Sequence, residues 1–227
     1  MKLQSQLLIA VLSFTLLMSC SHKSKISYWP NGKKEYEIPY KGKLIQGKAT
    51  WWFVNGNKEL EAYYKNGMVN GLCTRWLYNG TKESEQHFTN DTLNGESIYY
   101  NQSGQKIKEE HYASGILDGE YREWYENNQI KADGNFKMGK YEGKWRYWDI
   151  NGVLIGEGSY KNGKGKQFDY NTDGKVIRET EYTNNIKDGK EVWYKLNGTK
   201  AKELIYDKGQ IISEKDFSDT QVDSAKH

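Results

Sequence analysis

The chain has 227 residues, with 33 basic and 30 acidic side chains and a formal net charge of +3. This near balance excludes a nucleic-acid binder that works through bulk positive charge. The two cysteines exclude a disulfide scaffold and a multi-cysteine zinc module. Hydrophobic residues make up only 36% of the chain, yet aromatic residues make up 14%, and disordered chains are poor in aromatic residues. The composition therefore favours thin β-structure whose few buried positions are aromatic.

The first twenty residues differ in composition from the rest of the chain. Lys2 precedes an apolar run, LLIAVLSFTLL, that ends at Leu17. This run is too short to cross a bilayer, which takes about 20 residues, and it is typical of a secretory signal peptide. It leads into the segment LMSC that ends at Cys20, which resembles a bacterial lipobox.

The lipobox resemblance implies a signal peptide over residues 1–19, cleavage before Cys20 and lipidation of that cysteine. Residues 20–27 would then form an anchor and a short linker. We expect a lipoprotein held at the cell envelope by its N-terminal lipid, facing the periplasm or lying at the outer membrane. The membrane is thus one expected partner.

A repeat occupies most of the remaining chain, as turn-like dipeptides recur every 24 residues with one interval of 22. The dipeptides are Asn31-Gly32, Asn55-Gly56, Asn79-Gly80, Ser103-Gly104, Asn127-Asn128, Asn151-Gly152, Asp173-Gly174 and Asn197-Gly198. Such dipeptides predict two-residue type I′ hairpin turns, because both central residues must adopt positive φ. We expect eight repeats over residues 28–213 and a polar C-terminal tail over residues 214–227.

Further columns of residues share this period and predict the register. An aromatic residue stands eight positions after each turn, and a second glycine precedes each following turn. Two-residue turns would place the ring and the glycine opposite each other, so that each ring covers a bare strand glycine. The predicted pairs are Tyr64–Gly47, Phe88–Gly71, Tyr112–Gly95, Phe136–Gly119, Tyr160–Gly143, Tyr182–Gly165 and Tyr206–Gly189. The same arithmetic predicts the ion pairs Asp133–Arg122 and Glu157–Arg146.

The sixth repeat lacks two residues, and we expect the loss to fall in the turn between Tyr160 and Gly165. A carboxylate column and another aromatic column alternate with the Tyr–Gly column, so strand parity predicts them on the opposite face. No segment has the pattern of a covering helix. The predicted fold is therefore all-β, an elongated twisted antiparallel meander of about eight β-hairpin repeats with a 24-residue period.

The repeat resembles the MORN-repeat variant of bacterial proteins. One copy contains Tyr147-Trp148, Asn151-Gly152, Glu157 and the segment Tyr160-Lys161-Asn162-Gly163. The resemblance implies a scaffold or interaction platform, sometimes associated with membranes. The chain looks like the YwqK-type group that is named as the antitoxin partner of toxin–antitoxin systems. With the lipobox, this implies an unknown protein partner, with an antitoxin-like or immunity-like role against a toxin as one reading.

No catalytic motif is visible: the P-loop, GxSxG, HExxH and dinucleotide fingerprints are all missing from the sequence. His87 and His111 lie two predicted strands apart, about 9.6 Å, too far to share a zinc ion. We expect no enzyme activity, no cofactor, no metal and no nucleic-acid partner.

The second aromatic column is the candidate binding surface, because an open sheet this thin cannot bury an aromatic stripe on each face. Its members are Trp52, Trp76, Tyr100, Trp124, Trp148, Tyr170 and Tyr194. Two functions stay open, a protein-binding scaffold and an envelope glycan or lipid-headgroup binder. A contiguous exposed Trp row would favour glycan, whereas a mixed-charge face would favour protein.

Overall fold

A computed structural model describes residues 22–217 and consists of β-strands and turns. The signal peptide, Cys20 and most of the predicted polar tail lie outside the described residues. The strands are β1 (His22–Tyr28), β2 (Lys34–Lys41), β3 (Leu44–Ile45), β4 (Gly47–Trp52), β5 (Lys58–Lys65), β6 (Met68–Trp76), β7 (Lys82–Thr89), β8 (Thr92–Tyr100), β9 (Lys106–Ala113), β10 (Ile116–Trp124), β11 (Ile130–Lys137), β12 (Lys140–Trp148), β13 (Leu154–Lys161), β14 (Lys164–Tyr170), β15 (Val176–Thr183), β16 (Ile186–Tyr194), β17 (Lys200–Asp207) and β18 (Gln210–Asp216). Within this range no helix is long and apolar enough to span a bilayer.

The strands form one open antiparallel sheet in which each strand pairs with the next along the chain, as the pairings β5–β6, β6–β7 and β7–β8 illustrate. The strand β2 pairs with both β3 and β4, which together correspond to one interrupted strand. This meander confirms the predicted all-β fold class.

The Asn-Gly turns at one edge of the sheet are not the predicted type I′ turns. In the turn after β4, the Gly56 N–H donates to the Phe53 carbonyl at 2.8 Å, and the Phe53 N–H donates to the Asn57 carbonyl at 2.8 Å. Gly56 has a φ of 92°, whereas Asn55 stays outside the left-handed region. This is a type I turn followed by a glycine bulge, with a three-residue loop. We call this edge of the sheet the type I edge.

Type I′ turns do occur, but at the opposite edge of the sheet. Asn66 and Gly67 have φ of 54° and 85°, as a type I′ turn requires. The other pairs with two positive φ angles are Asn90-Asp91, Ser114-Gly115, Met138-Gly139, Asn162-Gly163, Asn184-Asn185 and Lys208-Gly209. We call this edge, which also contains the Gly42-Lys43 turn, the type I′ edge.

All seven predicted Tyr–Gly or Phe–Gly pairs are Cα partners in the sheet. The extra residue of each glycine bulge shifts only the pair nearest the turn, as at Trp52–Lys58, and leaves the rest in the predicted register.

The prediction that the partner ring covers each of these glycines is wrong for most of them, however. A Cβ on Gly71 would meet the Cβ of Tyr63 at 3.2 Å, and the Phe88 ring is not within 4 Å of it. Gly71 has a φ of 122° and lies in a second bulge, where the pairing shifts between Ala62 and Tyr64. The glycine is required for its backbone conformation.

The two-residue deletion falls in a strand rather than in the predicted turn. Asn162 and Gly163 keep the type I′ geometry, with φ of 53° and 74°. The strand β14 instead pairs with β13 without any register shift. Gly165 has no left-handed φ, unlike the other glycines of its column. The deletion therefore removes the bulge and leaves the turn intact.

The main core is a layer of rings on the face that carries the Tyr–Gly column, here called the aromatic face. Trp145 is 3% exposed and Tyr160 is 4% exposed. The ring centroid of Tyr141 lies 4.6 Å from that of Trp145 and 5.2 Å from that of Tyr160. Trp145 fills the space over Gly134, where a Cβ would lie 2.1 Å from the indole. A ring does cover a strand glycine here, although not at a predicted pair.

Trp145→Ala should lower the free energy of unfolding by about 3–5 kcal/mol, because it removes a buried ring and leaves a cavity. Met138→Ala is the matched control, as Met138 lies in the adjoining turn and is 73% exposed. Urea unfolding followed by circular dichroism measures both. Equal stability of the two variants would show that the ring layer is not the core.

Candidate binding surface

The face opposite the aromatic face carries the carboxylate column and the candidate aromatic column, as strand parity predicts. We call it the polar face. Glu61 pairs with Thr50 and Thr74 on its two neighbouring strands. Lys58 donates to the Glu61 carboxylate at 2.7 Å and lies 5.1 Å from the ring centroid of Trp76. Carboxylate, cation and ring thus form one contact group.

This group recurs along the sheet because the repeat places the same residue types at the same positions. The lysine–carboxylate contacts measure 2.6–2.8 Å at Lys34–Glu37, Lys58–Glu61, Lys82–Glu85, Lys106–Glu109 and Lys200–Glu203. A cation lies 5.1–5.5 Å from a candidate ring centroid at Lys34–Trp52, Lys58–Trp76, Lys106–Trp124 and Arg146–Trp148. These distances are those of cation–π contacts.

The tyrosines of the column contact the carboxylates through their hydroxyl groups. The Tyr100 hydroxyl donates to Glu85 at 2.6 Å, and the Tyr194 hydroxyl donates to Glu179 at 3.4 Å. Burial, together with a hydrogen bond to Glu157, raises the pKa of Tyr170 to about 12. These phenols therefore stay protonated and act as hydrogen-bond donors on the polar face.

Two carboxylates of this face, Glu61 and Glu85, have pKa values below the usual value. Burial alone would raise the pKa of Glu85, but hydrogen bonds from Lys82 and Tyr100 outweigh burial, so its pKa lies below the usual value. Glu61 is affected in the same way, because burial is outweighed by its contacts with Lys58 and Lys48. The polar face is thus a fixed array of alternating charges and rings.

The two predicted ion pairs are wrong although their Cα registers are right. Arg146 donates to Asp133 at 3.1 and 2.8 Å instead of to Glu157, and Arg122 contacts Glu120 at 2.9 Å. The predicted pairs were derived from the two strands of one hairpin, whereas each inner strand of the sheet has a neighbouring strand on both sides. Asp133 and Arg146 are partners across the other one.

All seven rings of the candidate column, from Trp52 to Tyr194, are half-buried, neither fully buried nor fully exposed. The tyrosines and phenylalanines of the opposite column are also half-buried, except for the buried Tyr160. The exposure of the rings therefore does not show which of the two columns is the binding surface. The choice of the candidate column stays a prediction.

Sequence reasoning missed a shallow depression at the type I edge. It has a volume of about 520 Å³ and is lined by Phe168, Val176, Tyr194 and Leu196, among others. Leu196 is 72% exposed. Leu196 directly precedes the Asn197-Gly198 dipeptide, and the turn pattern predicts only a chain reversal at this position.

Among residues 22–217, one group of potential metal ligands lies on the polar face. Glu96, Glu109 and His111 bring one ligand atom each within 4.8 Å of the others. Glu96 and His111 are cross-strand partners, a pairing that the comparison of His87 with His111 could not reveal. Lys106 already neutralises Glu109 at 2.8 Å, and we assign no metal to the cluster.

Comparison with known families matches the MORN repeat variant at residues 22–41, 93–114, 117–138 and 141–162. Each matched segment spans two strands joined by a turn of the type I edge. The hairpin β4–β5, outside the matched segments, has the same register shift next to its turn as the matched hairpin β8–β9. No curated protein matches the chain.

Glu85→Gln should reduce the free energy of unfolding at pH 7 by about 1 kcal/mol, because it removes charged hydrogen bonds. The lowered pKa of Glu85 means that its stabilising effect is present above the ordinary value of 4.5 and is lost as the pH falls through the lowered pKa. The variant should therefore lose less stability than the wild type between pH 7 and pH 3.

The matched control is Glu83→Gln on the same strand, whose contact with Arg75 is exposed and measures 3.8 Å. Urea unfolding at both pH values checks the comparison. A pH dependence of the Glu85 variant identical to that of the wild type would contradict the ion-pair account.

Proposed function

We propose that the chain is a lipid-anchored scaffold for a protein partner at the cell envelope. The match to the MORN repeat variant supports this proposal. Repeats of this family serve as binding and scaffold modules, and the family is non-enzymatic. The polar face, with Trp52, Trp76, Tyr100, Trp124, Trp148, Tyr170 and Tyr194, is the proposed contact surface. The observation that carries the proposal is the repeated group of carboxylate, cation and ring on that face.

A face that combines carboxylates, cations and rings is better suited to binding a protein than to binding a glycan. Glycan stacking needs open ring faces, but Trp76 lies beside Lys58 and Trp124 lies beside Lys106. Aromatic side chains and arginines are enriched at protein interfaces, and Trp is frequent among the residues that dominate binding energy. Complementary charges around such rings select the partner and set its orientation.

The electrostatics of the polar face support a binding role rather than catalysis. A general acid needs a raised carboxyl pKa at neutral pH, whereas the pKa values of Glu61 and Glu85 are lowered. Ion pairs fix these groups as charges. We therefore propose a non-enzymatic function that uses no cofactor.

An immunity-like role is one form of the proposed function. In that form the partner is a toxin that reaches the envelope, and the anchored scaffold holds it there. The resemblance to the YwqK-type antitoxin group supports a toxin as partner, and the lipobox supports the envelope rather than the cytoplasm as the place of binding.

The partner contact is tested with the double variant Trp124→Ala and Trp148→Ala. Cross-linking in intact cells, followed by purification of the anchored protein, identifies what the wild type binds. The double variant should reduce recovery of that protein at least tenfold, because two central rings of the surface are lost, while its thermal unfolding midpoint changes little.

The control is Tyr112→Ala, which removes a half-buried ring from the aromatic face and should leave partner recovery unchanged. Normal binding by the Trp variant would place the binding surface elsewhere. Recovery of peptidoglycan instead of a protein would favour the glycan alternative.

The anchor is tested by metabolic labelling with a fatty-acid analogue. Wild-type protein and a Cys73→Ala control should both carry the label, because Cys73 is a free, half-buried cysteine of the sheet. Cys20→Ala should carry none. An unlabelled wild type, or a labelled Cys20→Ala variant, would contradict lipidation at Cys20.

A further inference from the structure

The chain enters the sheet at the type I′ edge. His22 begins β1 and pairs with Lys41, the last residue of β2 before the turn. Cys20 precedes His22 by only two residues, and two residues span at most about 7 Å. A lipid on Cys20 would therefore hold this corner of the sheet at the headgroup layer of the membrane. The inference thus rests on the lipid anchor of the proposed function.

The same corner carries an unpaired basic cluster, which we call the basic tip. It consists of Lys23, Lys41, Lys43 and Lys65, all of which are exposed. None of the four forms an ion pair within residues 22–217. This contrasts with the polar face, where lysines contact carboxylates repeatedly.

Apolar side chains stand among these lysines. Leu44 is 50% exposed and Met68 is 37% exposed, each directly after a turn of the type I′ edge. Leu44 lies beside the turn that precedes Met68, as a Cβ on Gly67 would meet Leu44 at 3.4 Å. A surface that combines lysines with exposed aliphatic side chains has the composition of a membrane-surface contact.

The basic tip differs from the rest of its edge in its position, next to the strand at which the chain enters the sheet. The first carboxylate among the turns of this edge is Asp91, in the third turn, where it accepts a hydrogen bond from the Val69 N–H. Farther along, Lys137, Lys161 and Lys164 are again exposed. There, Asp118 and Glu142 accept hydrogen bonds from the neighbouring turns. Exposed basic charge thus recurs along this edge, and the basic tip is the part of it that lies where the anchor would emerge.

We propose that the basic tip lies on the anionic headgroup layer of the membrane that holds the lipid anchor. Lysines near such a surface are attracted by its negative potential, and the attraction falls off within about one Debye length. In this orientation the strands β1 and β2 extend away from the bilayer. The polar face then does not lie on the membrane and stays accessible to a protein partner.

The test uses the lipidated protein reconstituted into vesicles of phosphatidylcholine, with and without phosphatidylglycerol. Acetylation of lysines, followed by mass spectrometry, reports how accessible each amine is. Adding phosphatidylglycerol should slow acetylation of Lys41, Lys43 and Lys65 by about fivefold or more, the factor expected for one lysine at an anionic surface. Lys137, Lys161 and Lys164 should change by less than about twofold, since they lie farther from the anchor.

Two triple variants provide the matched comparison, K41E/K43E/K65E and K137E/K161E/K164E, which change the charge equally. Hydrogen exchange of the turns at residues 41–44 and 65–68 is the readout. Phosphatidylglycerol should protect these turns in the second variant and not in the first. Equal acetylation of both lysine groups, or protection that survives in the first variant, would overturn the proposal.

The failure of this inference is distinguishable from the failure of the anchor. A protein without fatty-acid label would not stay in vesicles of either composition, which refutes the anchor. A labelled protein that stays in both vesicles but shows no effect of phosphatidylglycerol refutes only the basic tip.

Discussion

Backbone conformation at the turns and bulges is the constraint on which the rest of this sheet depends. Side chains alternate between faces with a period of two, so a register shift of one residue would exchange the two faces. Positive φ at Gly56 and at Asn66-Gly67 sets the geometry of successive chain reversals. Because these geometries recur, the Tyr–Gly pairs keep one register through seven hairpins. The separation into an aromatic face and a polar face follows from that register.

The sequence was sufficient to predict the fold class and the register, because both depend on spacing alone. It was not sufficient for the turn type at Asn55-Gly56, since Asn-Gly also suits a type I turn with a glycine bulge. The bulge at Gly71 was also missed, and for that reason the two-residue deletion near Gly165 was assigned to a turn. The pairing of Arg146 with Asp133 depends on a second neighbouring strand, which hairpin arithmetic does not consider.

The sequence was sufficient to predict which rings share a face of the sheet, but not which side chains surround those rings. Spacing placed Trp76 and Trp124 on the face of the carboxylates, and the contacts with Lys58 and Lys106 agree with that placement. The cations beside the rings depend on side-chain conformations that periodicity does not specify. They change the character of the surface, because rings that lie beside lysines and near carboxylates form a charged interface rather than a bare stacking platform.

The central claim is that the polar face of the sheet binds the partner. Substitutions at two neighbouring positions of one strand test this claim directly, because their side chains lie on opposite faces. Arg122 lies on the polar face opposite Asp133, and Glu123 lies on the aromatic face opposite Ala132. A photo-cross-linking amino acid placed at either position in the anchored protein reports which face the partner contacts. We predict that position 122 forms a cross-link to the partner and that position 123 does not. A cross-link at position 123 alone would contradict the assignment of the polar face.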